Sequence, residues 1–163
     1  MQQVKKIKVL EAENPYILLN DDGERKKLRV CAYARVSTND DDQINSFDNQ
    51  VNEYTNRIES NLDWKFSGIY ADKGISGTQI KRRESFKRMV DDAVSGKIDM
   101  ILTKSISRFG RNTVEVLETV RLLREKNVVI YFEKENISSL ASETISLKCF
   151  LFFVEIPERP SSM

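Results

Sequence analysis

The sequence contains no histidine, and this absence removes several classes of active site. Histidine is the usual general base near neutral pH, a common metal ligand and the central member of Ser-His-Asp triads. The two cysteines, Cys31 and Cys149, fit neither a metal-binding spacing nor a disulfide framework. Imidazole chemistry is therefore excluded, and the cysteine usage is typical of a reducing cytosol.

The chain also has little net charge and no long apolar run. Its formal net charge is +1, so the chain as a whole lacks the electrostatic footprint of a nucleic-acid-binding protein unless positive charge is gathered locally. There is no apolar signal core at the N-terminus and no run of membrane-spanning length. We expect a cytoplasmic protein with no membrane partner. The length of 163 residues, with 40% apolar and 31% charged residues, predicts one globular domain of a size common among α/β folds.

Strand-like and helix-like patterns alternate through the middle of the chain. The nearly continuous apolar run 28–36 predicts a strand that is buried on both faces. Further strands are predicted at 65–71, 99–103 and 128–132, with helices over 47–58, over 86–94 and after a capping box at 112–115. This order predicts an α/β fold: a three-layer, mostly parallel sheet of four to five strands with helices on both faces.

The two ends of the chain and two inner segments do not follow this alternation. Residues 1–27 are interpreted as an N-terminal extension with room for one short strand, and residues 37–42 and 74–78 are predicted loops. The segment 137–163 is interpreted as an apolar tail. Its run 145–156 fits either a last strand or a short helix, and periodicity does not decide between them.

A hydroxyl and three arginines are predicted to meet at one edge of the sheet. Ser37 follows the first predicted strand, whereas Arg108 and Arg111 follow the third. Ligands of open α/β sheets bind at the carboxyl ends of the strands, so these side chains converge if the two strands are neighbours. Arg35 lies two residues before Ser37 and therefore faces the same side of the strand.

This combination favours phosphate chemistry. Guanidinium groups offer paired donors that match two phosphate oxygens, and they stay charged at all relevant pH values. One well-placed arginine contributes roughly 10³–10⁵ in rate to phosphoryl transfer, and a cluster of them can replace metal ions. The sequence does not identify the group that accepts the serine proton. For each residue taken singly, a turn or cap serine and solvated arginines remain the alternative.

A local basic patch surrounds the single acid Glu84. Its members are Lys81, Arg82, Arg83, Lys87 and Arg88. We expect Lys81, Arg82, Lys87 and Arg88 to bind DNA backbone phosphates. An ordinary solvated helix face is the alternative, and the acidic run 40–42 near Ser37 must point away from a phosphate or be offset by the arginines.

Several motifs together resemble the site-specific serine recombinases, the resolvase and invertase group, and within it the large serine integrase branch. The matching segments are Tyr33-Ala34-Arg35-Val36-Ser37-Thr38, Gln43-x-x-Ser46-x-x-x-Gln50, Asp72-Lys73-Gly74-Ile75-Ser76-Gly77 with Arg83-x-x-Phe86, Asp99, and the stretch from Ser105 to Asn112. They cover roughly residues 28–136, in the order of the family.

The resemblance implies a specific reaction. Ser37 would cut a DNA strand and stay joined to its 5′ phosphate until the 3′ hydroxyl of a partner strand attacks the phosphoserine, with no cofactor and no metal. Arg35, Arg108 and Arg111 would be catalytic. The supporting active-site residues would be Tyr33, Gln43, Gln50, Arg83, Asp99 and Ser107. The partners would be double-stranded DNA and further copies of the chain, as a dimer and as a tetramer in the synaptic complex.

The chain departs from the family pattern at two places. Ser107 stands where much of the resolvase branch has aspartate, and residues from Ile137 onward do not match the family's long dimer helix. We therefore expect a catalytic domain over 28–136 without its DNA-recognition region. A truncated remnant that acts only as an oligomerising or regulatory module is the alternative. A small-molecule phosphotransferase is a weaker one, because the usual glycine-rich phosphate loop is missing.

Overall fold

The computed structural model describes residues 7–8, 17–19, 22–37, 42–74 and 83–140. The predicted loop residues 38–41 and 75–78, the basic residues Lys81 and Arg82, and the apolar run 145–156 lie outside the described residues. The description likewise does not extend to the side chains of Ser37 and Gln43, although both residues belong to regular elements.

The N-terminal extension forms a small antiparallel sheet of three strands in place of the single strand for which the sequence left room. Strands β1 (Ile7–Lys8), β2 (Ile17–Leu19) and β3 (Arg25–Lys26) pair in the order β1-β2-β3. Strands of two or three residues are too short to show an alternating pattern, which explains why the sequence did not reveal all three.

The main sheet has five strands and is mostly parallel, as predicted. Its members are β4 (Leu28–Ser37), β5 (Trp64–Gly74), β6 (Met100–Thr103), β7 (Val129–Phe132) and β8 (Ile137–Ser138), in the order β5-β4-β6-β7-β8. Strands β4 to β7 run parallel, and β8 is antiparallel to β7. Strand β8 thus adds two residues of the predicted tail to the sheet.

Helices cover both faces of this sheet, which confirms the three-layer α/β fold. Helix α1 (Asp42–Ser60) buries Tyr54 and Ile58 against one face. Helices α2 (Glu84–Val94), α3 (Ile106–Phe109) and α4 (Thr113–Glu125) pack their apolar sides on the other face. None of these four helices in the described part of the chain has the length and apolar character needed to cross a bilayer.

The register of the parallel strands brings the carboxyl ends of β4, β5 and β6 to one edge. Tyr33 of β4 pairs with Tyr70 of β5 on one side and with Thr103, the last residue of β6, on the other. Strand β4 continues to Ser37, which pairs with Gly74 at the end of β5. Helix α3 begins three residues after the end of β6, so its residues lie at the same edge as the end of β4.

Candidate active site

Arginines from different elements come together at this carboxyl edge. Arg35 lies near the end of β4, Arg108 lies in α3, and Arg111 follows α3. The Nη1 of Arg108 donates to the main-chain oxygen of Arg35 at 3.1 Å. Burial and the positive charges of Arg83, Arg108 and Arg111 together lower the pKa of Arg35, although Tyr33 opposes this shift. The guanidinium groups of Arg83, Arg108 and Arg111 are therefore close enough to repel that of Arg35.

Among the residues that the structure describes, carboxylates do little to neutralise the cluster of Arg35, Arg108 and Arg111. In the described ranges, the side chains of Arg35 and Arg108 form no ion pair. The Nε of Arg111 is 3.9 Å from Oε1 of Glu115, a long contact for an ion pair. Clustered cations that lack counter-ions attract anions, and phosphate matches the paired donors of arginine. The arrangement is therefore suited to binding a phosphate group.

The short helix α3 fixes the position of Arg108. Its first turn is capped by Ser105, whose hydroxyl oxygen accepts from the main-chain nitrogen of Arg108 at 3.3 Å. The hydroxyls of Ser105 and Ser107 are 3.0 Å apart, so Ser107 contacts the cap of the helix. Ile106 and Phe109 are buried beneath the helix and anchor it on the sheet.

A glycine sets the spacing between Arg108 and Arg111. A Cβ atom on Gly110 would lie 2.2 Å from Cγ2 of Val116, which is fully buried at the first turns of α4. Any side chain at position 110 would therefore push α3 and α4 apart. Close packing, and not a positive φ angle, explains the glycine between the two arginines.

Arg83 lies buried beneath the cluster, with 3% of its surface exposed. Its Nε and Nη2 donate to the hydroxyl oxygen of Tyr33 at 3.2 and 3.1 Å, and its Nη1 donates to Glu115 at 3.2 Å. Nη2 also donates to the main-chain oxygen of Phe109. The guanidinium stacks over the ring of Phe86 at 3.8 Å. Arg83 thus joins β4, α2, α3 and α4 below the arginine cluster.

Tyr33 and Asp72 extend this network to the start of α2. The Tyr33 hydroxyl donates to Asp72 at 2.9 Å, and burial raises the pKa of Tyr33 to about 12, which keeps it protonated. The Asp72 carboxylate also accepts from the main-chain nitrogens of Ser85 and Phe86, both at 3.0 Å. Asp72 therefore caps α2, whose own N-cap residue Arg83 provides no side-chain cap.

Two acidic residues of the site were missed by reasoning from the sequence. Asp72 was noted only as part of a motif, and Glu115 only as the last residue of a capping box. The box itself forms, because Asn112 Oδ1 accepts from the nitrogen of Glu115 at 2.9 Å. The contact from Glu115 to Arg83 joins residues 32 positions apart, and no local pattern reveals it.

The structure does not bring Asp99 to this site. Its carboxylate accepts from the main-chain nitrogen, Nε and Nη2 of Arg29, each at 2.9 Å. Both residues lie where β4 and β6 begin, whereas Arg108 follows the end of β6. The expected active-site role of Asp99 is therefore not supported, because the direction of the strand places it at the opposite edge, where it fastens two strand starts together.

The other predicted residues are placed only in part. Ser37 is the last residue of β4, beside Gly74, and the description does not include its hydroxyl. Gln50 is half-buried on α1, which also carries Gln43. Lys87 and Arg88 lie on the exposed side of α2, where Arg88 stacks 5.6 Å from the ring of Tyr70.

Comparison with known proteins identifies the fold and the family. A family model for the resolvase N-terminal domain matches residues 30–156. The N-terminal catalytic domain of TP901-1 integrase is 24% identical, with 73% of this chain and 89% of that one covered and a TM-score of 0.58. A resolvase family site-specific recombinase from Streptococcus pneumoniae is 27% identical, with 73% and 83% covered and a TM-score of 0.55. The C-terminal catalytic domain of ISC1926 TnpA, an IS607-like serine recombinase, is 21% identical, with 74% and 79% covered and a TM-score of 0.53. No curated protein matches the chain.

The sheet order and the helices on both faces define a resolvase-like α/β fold. The chain belongs to the resolvase family and is the catalytic domain of a site-specific serine recombinase. The resemblance noted in the sequence is thereby confirmed, and it replaces the phosphotransferase alternative.

Proposed function

We propose that this chain cuts and rejoins double-stranded DNA with Ser37 as its nucleophile. The Ser37 oxygen bonds to a backbone phosphorus as the bond from that phosphorus to the DNA 3′ oxygen breaks. The serine gives up a proton, and the departing 3′ oxygen gains one. The 3′ hydroxyl of a partner strand then attacks the phosphoserine and releases Ser37, so each step exchanges one phosphodiester for another.

The observation that supports this proposal is the cluster of Arg35, Arg108 and Arg111 at the edge where Ser37 ends β4. Burial and the neighbouring positive charges lower the pKa of Arg35, and a phosphate between these groups would relieve the repulsive part of that shift. The three guanidinium groups would bind the non-bridging oxygens and stabilise the charge that spreads over them in the transition state.

Below this cluster, Arg83 and Tyr33 hold the arginine-bearing elements in place, and Ser107 contributes through the cap of α3. We also assign supporting roles to Gln43 and Gln50 on α1. The exposed Lys87 and Arg88, together with Lys81 and Arg82, would contact the DNA backbone and add a salt-dependent part to its affinity.

The chain is expected to assemble into oligomers and to comprise three segments. Recombination joins four DNA ends, so a homodimer at each site and a tetramer in the synaptic complex are expected, in the cytoplasm where the DNA lies. Residues 28–136 form the catalytic unit, with 1–27 as an N-terminal extension and 137–163 as an apolar tail.

Trapping of the covalent intermediate tests this function. A pool of nicked DNA duplexes with randomised sequence, whose broken strand cannot be rejoined, is incubated with the protein, and denaturant-stable adducts are recovered. We expect adducts with the wild type and with Ser95→Ala, which changes an exposed serine beyond α2. Ser37→Ala should yield none. An adduct that persists in Ser37→Ala contradicts the proposal, and self-association without any adduct would favour the regulatory alternative.

A further inference from the structure

Glu115 contacts two arginines of the site with one carboxylate. Its Oε1 accepts from Nη1 of Arg83 at 3.2 Å and lies 3.9 Å from Nε of Arg111. Its Oε2 accepts from the main-chain nitrogen of Arg111 at 2.5 Å. Glu115 is half-buried in the first turn of α4. It therefore fixes the backbone of Arg111 relative to the buried Arg83 and places a negative charge beside the inner end of the Arg111 guanidinium.

The contact between Glu115 and Arg111 involves only one side of the guanidinium. The carboxylate approaches Nε, the inner nitrogen of the guanidinium. Among the described residues, the two terminal nitrogens of Arg111 have no hydrogen bond and no ion pair. A carboxylate on the Nε side leaves the terminal nitrogens available to a phosphate, which they can bind through two oxygens at once.

Glu115 also balances the charge of the buried Arg83. The side chain of Arg83 is 3% exposed, and Glu115 is its ion-pair partner in the part of the chain that the structure describes. A buried cation without a counter-ion is costly, and Arg83 also adds to the repulsion felt by Arg35. Glu115 thus supplies negative charge below the cluster and leaves the phosphate-facing side cationic.

We propose that Glu115 is a positioning residue that orients Arg111 toward the phosphate and neutralises Arg83 beneath it. This rests on the proposed function, in which the phosphate belongs to DNA. If Glu115 has this role, its removal weakens phosphate binding, which is the opposite of what a simple charge effect would do. Removal of a carboxylate raises the local positive potential and should tighten anion binding, whereas loss of orientation should weaken it.

The test compares Glu115→Gln with Glu118→Gln, which removes the same charge from an exposed position one turn along α4. Inorganic phosphate is titrated into each folded protein while the NMR resonances of the arginine Nε–H groups are followed. In Glu115→Gln we expect the midpoint for the Arg111 resonance to rise roughly three- to tenfold, the net worth of one ordinary hydrogen bond. In Glu118→Gln the midpoint should stay within twofold of the wild type.

The cleavage rate provides a second measurement. On a trapped-adduct substrate, Glu115→Gln should lower the single-turnover rate by roughly ten- to a hundredfold, as expected for a misplaced catalytic group, with DNA affinity changed less than twofold. An unchanged or lower phosphate midpoint in Glu115→Gln overturns the proposal. If that variant does not fold, Glu115→Asp decides, because it keeps the charge but shortens the reach: a raised midpoint supports positioning, and a wild-type midpoint contradicts it.

These outcomes separate the two proposals. The phosphate titration does not require DNA cleavage, so a missing Ser37 adduct would leave the role of Glu115 standing as a property of an anion site. Conversely, a Ser37-dependent adduct together with wild-type behaviour of Glu115→Gln would remove only the role of Glu115.

Discussion

Arg83 is the residue on which the site's internal order depends most. Its Nε, Nη1 and Nη2 all donate hydrogen bonds, and the partners belong to β4, α3 and α4. A lysine, which has one terminal nitrogen and no planar fork, cannot reproduce this set. The buried guanidinium also stacks on Phe86, so it contributes packing as well as charge.

Arg83→Ala is expected to destabilise the chain by about 3–5 kcal/mol, because it leaves Glu115 without its buried partner. The free energy of unfolding in urea measures this change. Arg121→Ala, at an exposed position of α4, is the control and should change stability by less than about 0.5 kcal/mol. Similar values for the two variants would show that the network under the site is not a source of stability.

Thr103 is the opposite case, because its buried hydroxyl is not stabilised by a hydrogen bond among the described residues. Its side chain is fully buried between Tyr33 and Phe132 in the sheet register, and its hydroxyl has no hydrogen-bond partner among the described residues. Valine has the same shape without the hydroxyl, and an unsatisfied buried hydroxyl costs about 1–3 kcal/mol.

Thr103→Val should therefore raise the free energy of unfolding by about 1 kcal/mol. Thr55→Val is the matched control, since the Thr55 hydroxyl donates to the main-chain oxygen of Val51 at 2.7 Å and its loss should bring no gain. Thermal unfolding of both variants gives the comparison. A Thr103→Val protein less stable than Thr55→Val would mean that the Thr103 hydroxyl has a partner in solution.

At the scale of elements, the packing of α3 against α4 sets the arrangement of the arginines. Helix α3 has only four residues, and the connection to α4 passes through Gly110 against Val116. Because the contact would be with a side chain, a smaller residue at position 116 can make room for a methyl group at position 110.

Gly110→Ala is expected to cost about 1–3 kcal/mol of stability, the usual cost of overpacking. In the background of Val116→Ala the same change should cost clearly less, because the Cγ2 atom that lies 2.2 Å from the new Cβ is gone. A double-mutant cycle in urea measures the coupling. Additive effects would contradict the steric explanation of the glycine.

Elements with a strong local pattern were predictable from the sequence. The apolar runs of β4 and β6, the spacing of Tyr54 and Ile58 on α1, and the Asn112 cap of α4 all have the expected structure. Strand β8 was missed, since two half-buried residues carry no period. The Asp72 cap of α2 was missed because a residue from another element provides it.

At the scale of the whole molecule, the net charge is near zero although arginines are clustered at the carboxyl edge of the sheet. Acids away from the carboxyl edge pair with nearby cations, as Asp99 does with Arg29 and Asp92 does with Lys97. At the edge itself, Arg35 and Arg108 have no such partner within the described ranges. The sequence indicated that positive charge had to be local, but only the parallel order of β4 and β6 shows where it gathers.

The central claim is that Ser37 and the arginine cluster act on the same DNA phosphate. Peptide mapping of the trapped protein–DNA adduct by mass spectrometry tests it most directly. The account predicts a nucleotide joined through its 5′ phosphate to Ser37, with adduct formation strongly reduced in Arg108→Ala. A nucleotide mapped to any other residue, or a Ser37 adduct that forms at the wild-type rate in Arg108→Ala, would contradict it.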